Sequence, residues 1–144
     1  MTTKEQTDRE NFEYCLHVAK EVEAYGEGRV YRCEECGEVV LIDDDDEQEE
    51  YTCPHCGATC DARDLEQLCL WDYFNDCFDI EYRVDGQKNY RSVRIMIACG
   101  GPNVYIDTAS RAVELYWWSD RAECPIDIDI CNEIDTIFEE YFDC

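Results

Sequence analysis

Four cysteines are the residues of this chain whose type and spacing point most directly to chemistry. Cys33 and Cys36 form one Cys-x-x-Cys pair, Cys53 and Cys56 form another, and 16 residues separate the pairs. The two sulfurs of such a pair can reach one ion at about 2.3 Å, and four thiolates form a common tetrahedral set for Zn²⁺. The spacing therefore predicts one structural zinc ion with these four cysteines as ligands.

Each pair is followed directly by a glycine, Gly37 or Gly57. A positive φ at these positions would let backbone amides turn back onto the sulfurs. His55 or Cys60 could replace one cysteine, and the pairs could instead be redox centres or disulfides. The doubled Cys-x-x-Cys-Gly pattern resembles the zinc-ribbon (zinc-knuckle) family over residues 30–60. The resemblance implies a structural zinc ion with the same four ligands, but no particular function.

The remaining residues offer little that is typical of an enzyme. The chain has two histidines, of which His17 is predicted on a solvated helix face with Glu13 and Glu21. The four consecutive aspartates at 43–46 lack the glycine and distal glutamate of an EF-hand. No nucleophile elbow is present, and Gly100-Gly101 lacks the lysine of a phosphate loop. We therefore expect no catalytic activity.

The charge balance is extreme. The chain has 36 acidic and 12 basic residues among 144, a net charge of −24. The acidity is spread over both halves of the chain, so it is not a detachable tail. Such a charge disfavours direct binding to nucleic acid or to anionic membranes, because both require cationic surfaces. It also exceeds what solubility alone requires.

Membrane and export signals are not recognisable in the sequence. No apolar run approaches the roughly 20 residues of a membrane-spanning helix. The first residues lack the apolar stretch of a signal peptide. We therefore expect a cytoplasmic protein whose cysteines serve metal binding more than disulfide formation.

The hydrophobic pattern predicts an α+β fold, with a zinc-ribbon β-hairpin module and a small antiparallel β-meander packed with helices. An N-terminal amphipathic helix is assigned to residues 1–28, opening at a capping box over Thr7–Glu10. The zinc ribbon, with an acidic hairpin tip, is assigned to 29–62. In it, residues 38–42 and 51–53 form the two arms of one hairpin.

Residues 63–144 are predicted to form an α-β-β-β-β-α domain. Its first helix would be capped by Asp61 or Asp64. Its four strands would start at Ile80, Val93, Val104 and Ala112, the last continuing through Trp118. A C-terminal amphipathic helix carries Ile130, Ile134, Ile137, Phe138 and Tyr141 on its apolar side.

Two groups of acidic residues are candidates for binding a partner. Alternate residues of an extended chain lie roughly 6.6 Å apart, and residues one turn apart on a helix about 6 Å. Both spacings lie within a factor of two of the phosphate interval in DNA. The candidates are Asp43, Asp44, Asp45, Asp46 and Glu47 in the ribbon and Asp129, Glu133 and Glu140 on the last helix. Tyr116 and Trp118 would add apolar anchors if no helix covers their face of the sheet.

In size and acidity the chain resembles the DNA-mimicking antirestriction and anti-CRISPR proteins of phages and mobile elements. This resemblance implies a non-enzymatic inhibitor that occupies the basic nucleic-acid channel of a bacterial defence nuclease. The alternative is a zinc-ribbon adaptor that binds a protein partner without imitating nucleic acid.

Overall fold

The computed structural model describes residues 4–42, 50–61 and 65–143, and it confirms the predicted α+β class. In these ranges the helices are α1 (Lys4–Gly26), α2 (Leu70–Phe74) and α3 (Ile128–Asp143). The shorter strands are β1 (Val30–Arg32), β2 (Val39–Leu41), β3 (Glu50–Thr52), β4 (Thr59–Asp61) and β5 (Glu66–Gln67). The longer strands are β6 (Asp79–Val84), β7 (Tyr90–Ala98), β8 (Asn103–Asp107), β9 (Ala112–Trp117) and β10 (Asp120–Pro125).

The longer strands form one antiparallel meander in the order β10-β9-β8-β7-β6. Successive side chains of a strand point to opposite faces of the sheet, so the apolar side chains of these strands lie on one face. Helices α1 and α3 pack on that face. The strands contribute Val93, Ile95, Val104, Ile106, Val113 and Leu115, and the helices contribute Cys15, Val18, Val22, Ile130, Ile134 and Phe138. All of these side chains are buried. The meander and the long helices therefore share one core.

The opposite face of the sheet carries a layer of paired charges. Arg83 on β6 donates two hydrogen bonds of 2.7 Å to Asp107 on β8, and Asp107 is only 3% exposed. Arg94 on β7 lies 3.7 Å from the ring centre of Tyr105 and 3.4 Å from the Glu114 carboxylate. These contacts satisfy the buried carboxylates without help from a helix.

The cysteine pairs lie in two short hairpins. Strand β1 pairs with β2, and β3 pairs with β4, so each Cys-x-x-Cys segment reverses the chain by itself. The small strand β5 pairs with the other edge of β1. The predicted pairing of residues 38–42 with 51–53 in one hairpin is wrong for the described strands. The reason is local: the six residues from Cys33 to Glu38 already make a complete turn.

Other element predictions also need correction. A fifth sheet strand, β10, follows the four that were predicted, and β9 ends at Trp117. Helix α1 begins at Lys4, so Thr7 lies inside it instead of at its cap. The helix predicted to begin after Asp61 or Asp64 is the short α2, which begins at Leu70. There the Asp72 carboxylate accepts a hydrogen bond of 2.8 Å from the backbone N–H of Cys69.

Candidate metal centre

The four predicted ligands lie together in the structure. The Sγ atoms of Cys33 and Cys56 are 3.7 Å apart, those of Cys36 and Cys53 are 3.8 Å apart, and all four lie within 4.8 Å of one another. A tetrahedron with metal–sulfur distances of about 2.3 Å has edges of about 3.8 Å. The cluster therefore has the dimensions needed to hold one metal ion.

The two halves of the cluster are built alike. The backbone N–H of Gly37 donates to the carbonyl of Cys33, and that of Gly57 donates to the carbonyl of Cys53, each at 2.9 Å. Both glycines have φ of 75°, and an added Cβ would meet no atom within 4 Å. The space around each glycine is open, so there is room for a side chain. The left-handed backbone is therefore the reason that glycine is favoured at these positions.

The thiols influence one another strongly. Backbone N–H groups of Cys56 and His55 donate to the Cys53 sulfur, and they lower the pKa of Cys53 to about 6. The N–H of Glu38 acts in the same direction on Cys36, but lost solvation and the neighbouring cysteines outweigh it and raise the pKa of Cys36 to about 12. Four thiolates so close together repel one another, and a divalent cation relieves that repulsion.

The alternative ligands do not join the cluster. His55 is exposed, and Cys60 lies on β4 opposite Tyr51. Among the described residues, Cys33, Cys36, Cys53 and Cys56 are the only group whose ligand atoms lie close enough together to hold a metal ion. The sulfur separations also exceed the roughly 2.05 Å of a disulfide bond. The chemistry of a thiolate set favours soft or borderline ions.

The predicted acidic residues of the last helix are exposed. Helix α3 carries carboxylates at Asp129, Glu133, Asp135, Glu139, Glu140 and Asp143, and it contains no lysine or arginine. Asp135 is partly buried and accepts a hydrogen bond of 2.7 Å from the Tyr90 hydroxyl. Within the described ranges, none of the six forms an ion pair. The ribbon candidates Asp43, Asp44, Asp45, Asp46 and Glu47 lie outside the described residues.

The two predicted aromatic anchors differ in their surroundings. Tyr116 is half-buried on the charged face of the sheet, where its ring lies between Tyr105 and the guanidinium of Arg121. Trp118 is 89% exposed and occupies the two-residue turn between β9 and β10 with φ of 56°. No described helix covers either residue.

The burial of two acidic residues, Asp107 and Glu114, could not be predicted from the sequence. Both alternate with apolar core residues in their strands, and in a chain so rich in carboxylates nothing marked them as buried. Their arginine partners, Arg83 and Arg94, lie on neighbouring strands and become recognisable only once the strand order is known.

Comparisons with protein-family models, with curated proteins and with solved structures gave no match to this chain. In the described residues, none of the helices has the length and apolar character that crossing a membrane requires. The function is therefore inferred from the cysteine cluster and from the charged and exposed surfaces of the molecule.

Proposed function

We propose that this protein is a non-catalytic inhibitor, stabilised by one structural Zn²⁺, that binds the basic nucleic-acid channel of a bacterial defence nuclease. It would act in the cytoplasm and present carboxylates where the nuclease normally binds phosphates. The observation that carries this proposal is the uncompensated row of carboxylates on α3.

The density of that row is close to the density of phosphates. With 16 residues, α3 rises about 24 Å, so its five exposed carboxylates follow one another at about 5 Å on average. Phosphates along one DNA strand follow at about 3.4 Å. Helix α3 itself contains no lysine or arginine, so the negative potential of these carboxylates is available to a partner.

The zinc ion would join the two hairpins that flank the second acidic segment in the sequence. Asp43–Glu47 come between β2 and β3 in the chain, and the cluster draws one ligand pair from each of the two hairpins. Binding of one ion would therefore link strands β2 and β3. Thiolate ligands suit Zn²⁺, although the cluster geometry alone does not distinguish among metal ions.

The net charge of −24 supports fast association with a cationic channel. A field of this sign raises the rate of encounter with a positive cleft, and salt weakens it. Direct nucleic-acid binding is disfavoured by the same field, because counterion release needs clustered lysines or arginines.

A second candidate function is a zinc-ribbon adaptor that binds its partner through apolar contacts. The observation in its favour is Trp118, a large aromatic side chain that is 89% exposed at a hairpin tip. Exposed tryptophans are frequent hot spots of protein interfaces. For an adaptor, Trp118→Ala would abolish binding while salt would have little effect.

The proposal can be tested with two variants of equal charge. The α3 variant carries Asp129→Asn, Glu133→Gln, Glu139→Gln and Glu140→Gln. The α1 control carries Glu5→Gln, Asp8→Asn, Glu10→Gln and Glu13→Gln, which are also exposed. Each immobilised protein captures partners from a bacterial lysate at about 50 mM and 500 mM salt, on either side of strong screening.

Phosphate mimicry predicts that the α3 variant loses the partner at low salt while the α1 control retains it. The captured partner should also bind nucleic acid. Equal retention by both variants, or capture that is indifferent to salt, would contradict the role of α3 and favour the adaptor.

A further inference from the structure

Two neighbouring cavities, together called the α1 groove, lie along one side of α1. One of about 550 Å³ lies beside the first cysteine hairpin, and one of about 360 Å³ lies beside α2. His17 and Glu21 line both cavities, so the two are adjacent. From Tyr14 to Tyr25 the helix rises about 16 Å, which is the length of roughly five extended residues.

The larger cavity is mainly apolar. Its walls include Val39 and Leu41 of β2, which are 43% and 56% exposed. Strand β2 is an edge strand, and among the described strands only β1 pairs with it. Lys20 is the cation at this end of the groove. An extended segment could therefore place apolar side chains here alongside the strand edge.

The smaller cavity combines aromatic rings with carboxylates. Tyr14, Tyr73, Glu21 and Asp76 line it, together with the His17 imidazole that lies 3.3 Å from Glu21. No lysine or arginine lines it in the described chain. Burial and then the nearby Glu21 carboxylate raise the pKa of Tyr73, in keeping with a negative environment. Tyrosine faces beside carboxylates favour a guanidinium or ammonium group.

We propose that this α1 groove binds an extended segment of a partner protein in which apolar residues lie next to an arginine or lysine. The cation enters the tyrosine–carboxylate cavity and the apolar side chains lie against Val39 and Leu41. A second copy of this chain is the poorer occupant, because two molecules of charge −24 repel each other. Among the described residues, the exposed carboxylates of α3 line neither cavity, so the proposal does not depend on phosphate mimicry.

Three capped peptides serve as probes in amide NMR titrations of the metal-loaded full chain. They are acetyl-Val-Leu-Arg-amide, the same peptide with citrulline in place of arginine, and acetyl-Gly-Gly-Arg-amide. Citrulline keeps the shape of arginine and removes its charge, so it isolates the cationic cavity. The glycine peptide isolates the apolar cavity.

The first peptide is expected to shift the backbone amide resonances of residues 14–25, 39–41 and 73–77. Each of the other two peptides should bind about tenfold more weakly, because each lacks either the cationic contact or the apolar contact. The double substitution Glu21→Gln and Asp76→Asn should lower the affinity for the arginine peptide about tenfold, because it removes the two carboxylates. A control with Glu133→Gln and Glu140→Gln removes the same charge from α3 and should leave binding within about twofold, since those residues do not line the groove.

Four results would overturn the proposal. They are equal binding of the arginine and citrulline peptides, equal weakening by the α3 control, shifts centred on α3, and no shift at millimolar peptide. Preserved spectral dispersion in both variants shows that they remain folded. Shifts of the groove amides with protein concentration alone would instead indicate a second copy as the occupant.

Discussion

At the scale of single residues, the buried Asp107 shows how this acidic chain keeps a carboxylate inside its sheet. Burial raises the pKa of Asp107, but the guanidinium of Arg83 and the backbone N–H groups of Ala109 and Ser110 outweigh it and hold the pKa below its usual value. The ionised carboxylate therefore stabilises the folded state.

Asp107→Asn is expected to lower the free energy of unfolding by about 1–3 kcal/mol near neutral pH, since Arg83 loses its partner while remaining partly exposed. The depressed pKa makes this contribution complete above about pH 5 and progressively lost below about pH 4. Urea titrations across this range measure the difference. Glu123→Gln, which breaks the exposed Arg121 pair, should cost less than about 1 kcal/mol. A cost for Asp107→Asn that grows as the pH falls would contradict the ion-pair account.

Trp118 was predicted as the end of a strand, but the structure places it in a tight turn with a positive φ. Hairpin turns of two residues often need such a backbone, and glycine adopts it most easily. The period-two pattern continues through Trp117, so the end of the strand could not be located from the pattern alone. An exposed tryptophan in a position suited to glycine is the observation behind the adaptor alternative, in which this side chain would bind a partner.

Trp118→Gly should therefore leave the free energy of unfolding unchanged or raise it by up to about 1 kcal/mol, because the relief of backbone strain opposes the added freedom of the unfolded chain. Thermal or urea unfolding checks this. A loss of more than about 2 kcal/mol would mean that the indole is a packing element after all.

At the scale of elements, the parts with local signals were predicted best. The four ligands were found because each Cys-x-x-Cys pair is short in sequence, and α3 was found because its apolar spacing is regular. Strand β10 was missed because Arg121 and Glu123 alternate with the small residues Ala122 and Cys124, a weak strand pattern. The pairing of β1 with β2 was missed because the turn at Cys33–Glu38 was assigned only to metal binding.

The cysteine hairpins have a small core of their own. Cys33, Val40 and Cys53 form a buried cluster separate from the main core under α1 and α3. A core of this size is too small to hold the two hairpins together. We therefore expect the metal ion to supply most of the stability of the hairpins. The sheet and long helices should not depend on it.

Chelation of the metal, or Cys36→Ser, should abolish amide-exchange protection in β1–β4 while protection in β7–β9 persists. Elemental analysis should find about one equivalent of zinc in the wild type and much less in the variant. Cys99→Ser, at an exposed cysteine outside the cluster, is the matched control and should retain the metal. Protection in β1–β4 that survives chelation would contradict a structural role for the ion.

At the scale of the whole molecule, the charges are distributed unequally between two surfaces. On the open face of the sheet, Arg83, Arg94 and Arg121 each contact at least one carboxylate, so much of the negative charge of that surface is paired. On α3 the exposed carboxylates have no described counter-charge. Composition revealed the total of −24, but only the fold shows which surface leaves its charge uncompensated.

We propose that these carboxylates take the place of phosphates, and a competition experiment with DNA can test this. A fluorescent DNA duplex is titrated against the captured nuclease at increasing concentrations of the wild-type protein, the α3 variant and the α1 control. If the carboxylates replace phosphates, the apparent Kd of the duplex should rise linearly with the concentration of the wild type and of the α1 control, whereas the α3 variant should have little effect. A ternary complex in which the nuclease holds both the duplex and this protein, with an unchanged Kd for the duplex, would contradict it.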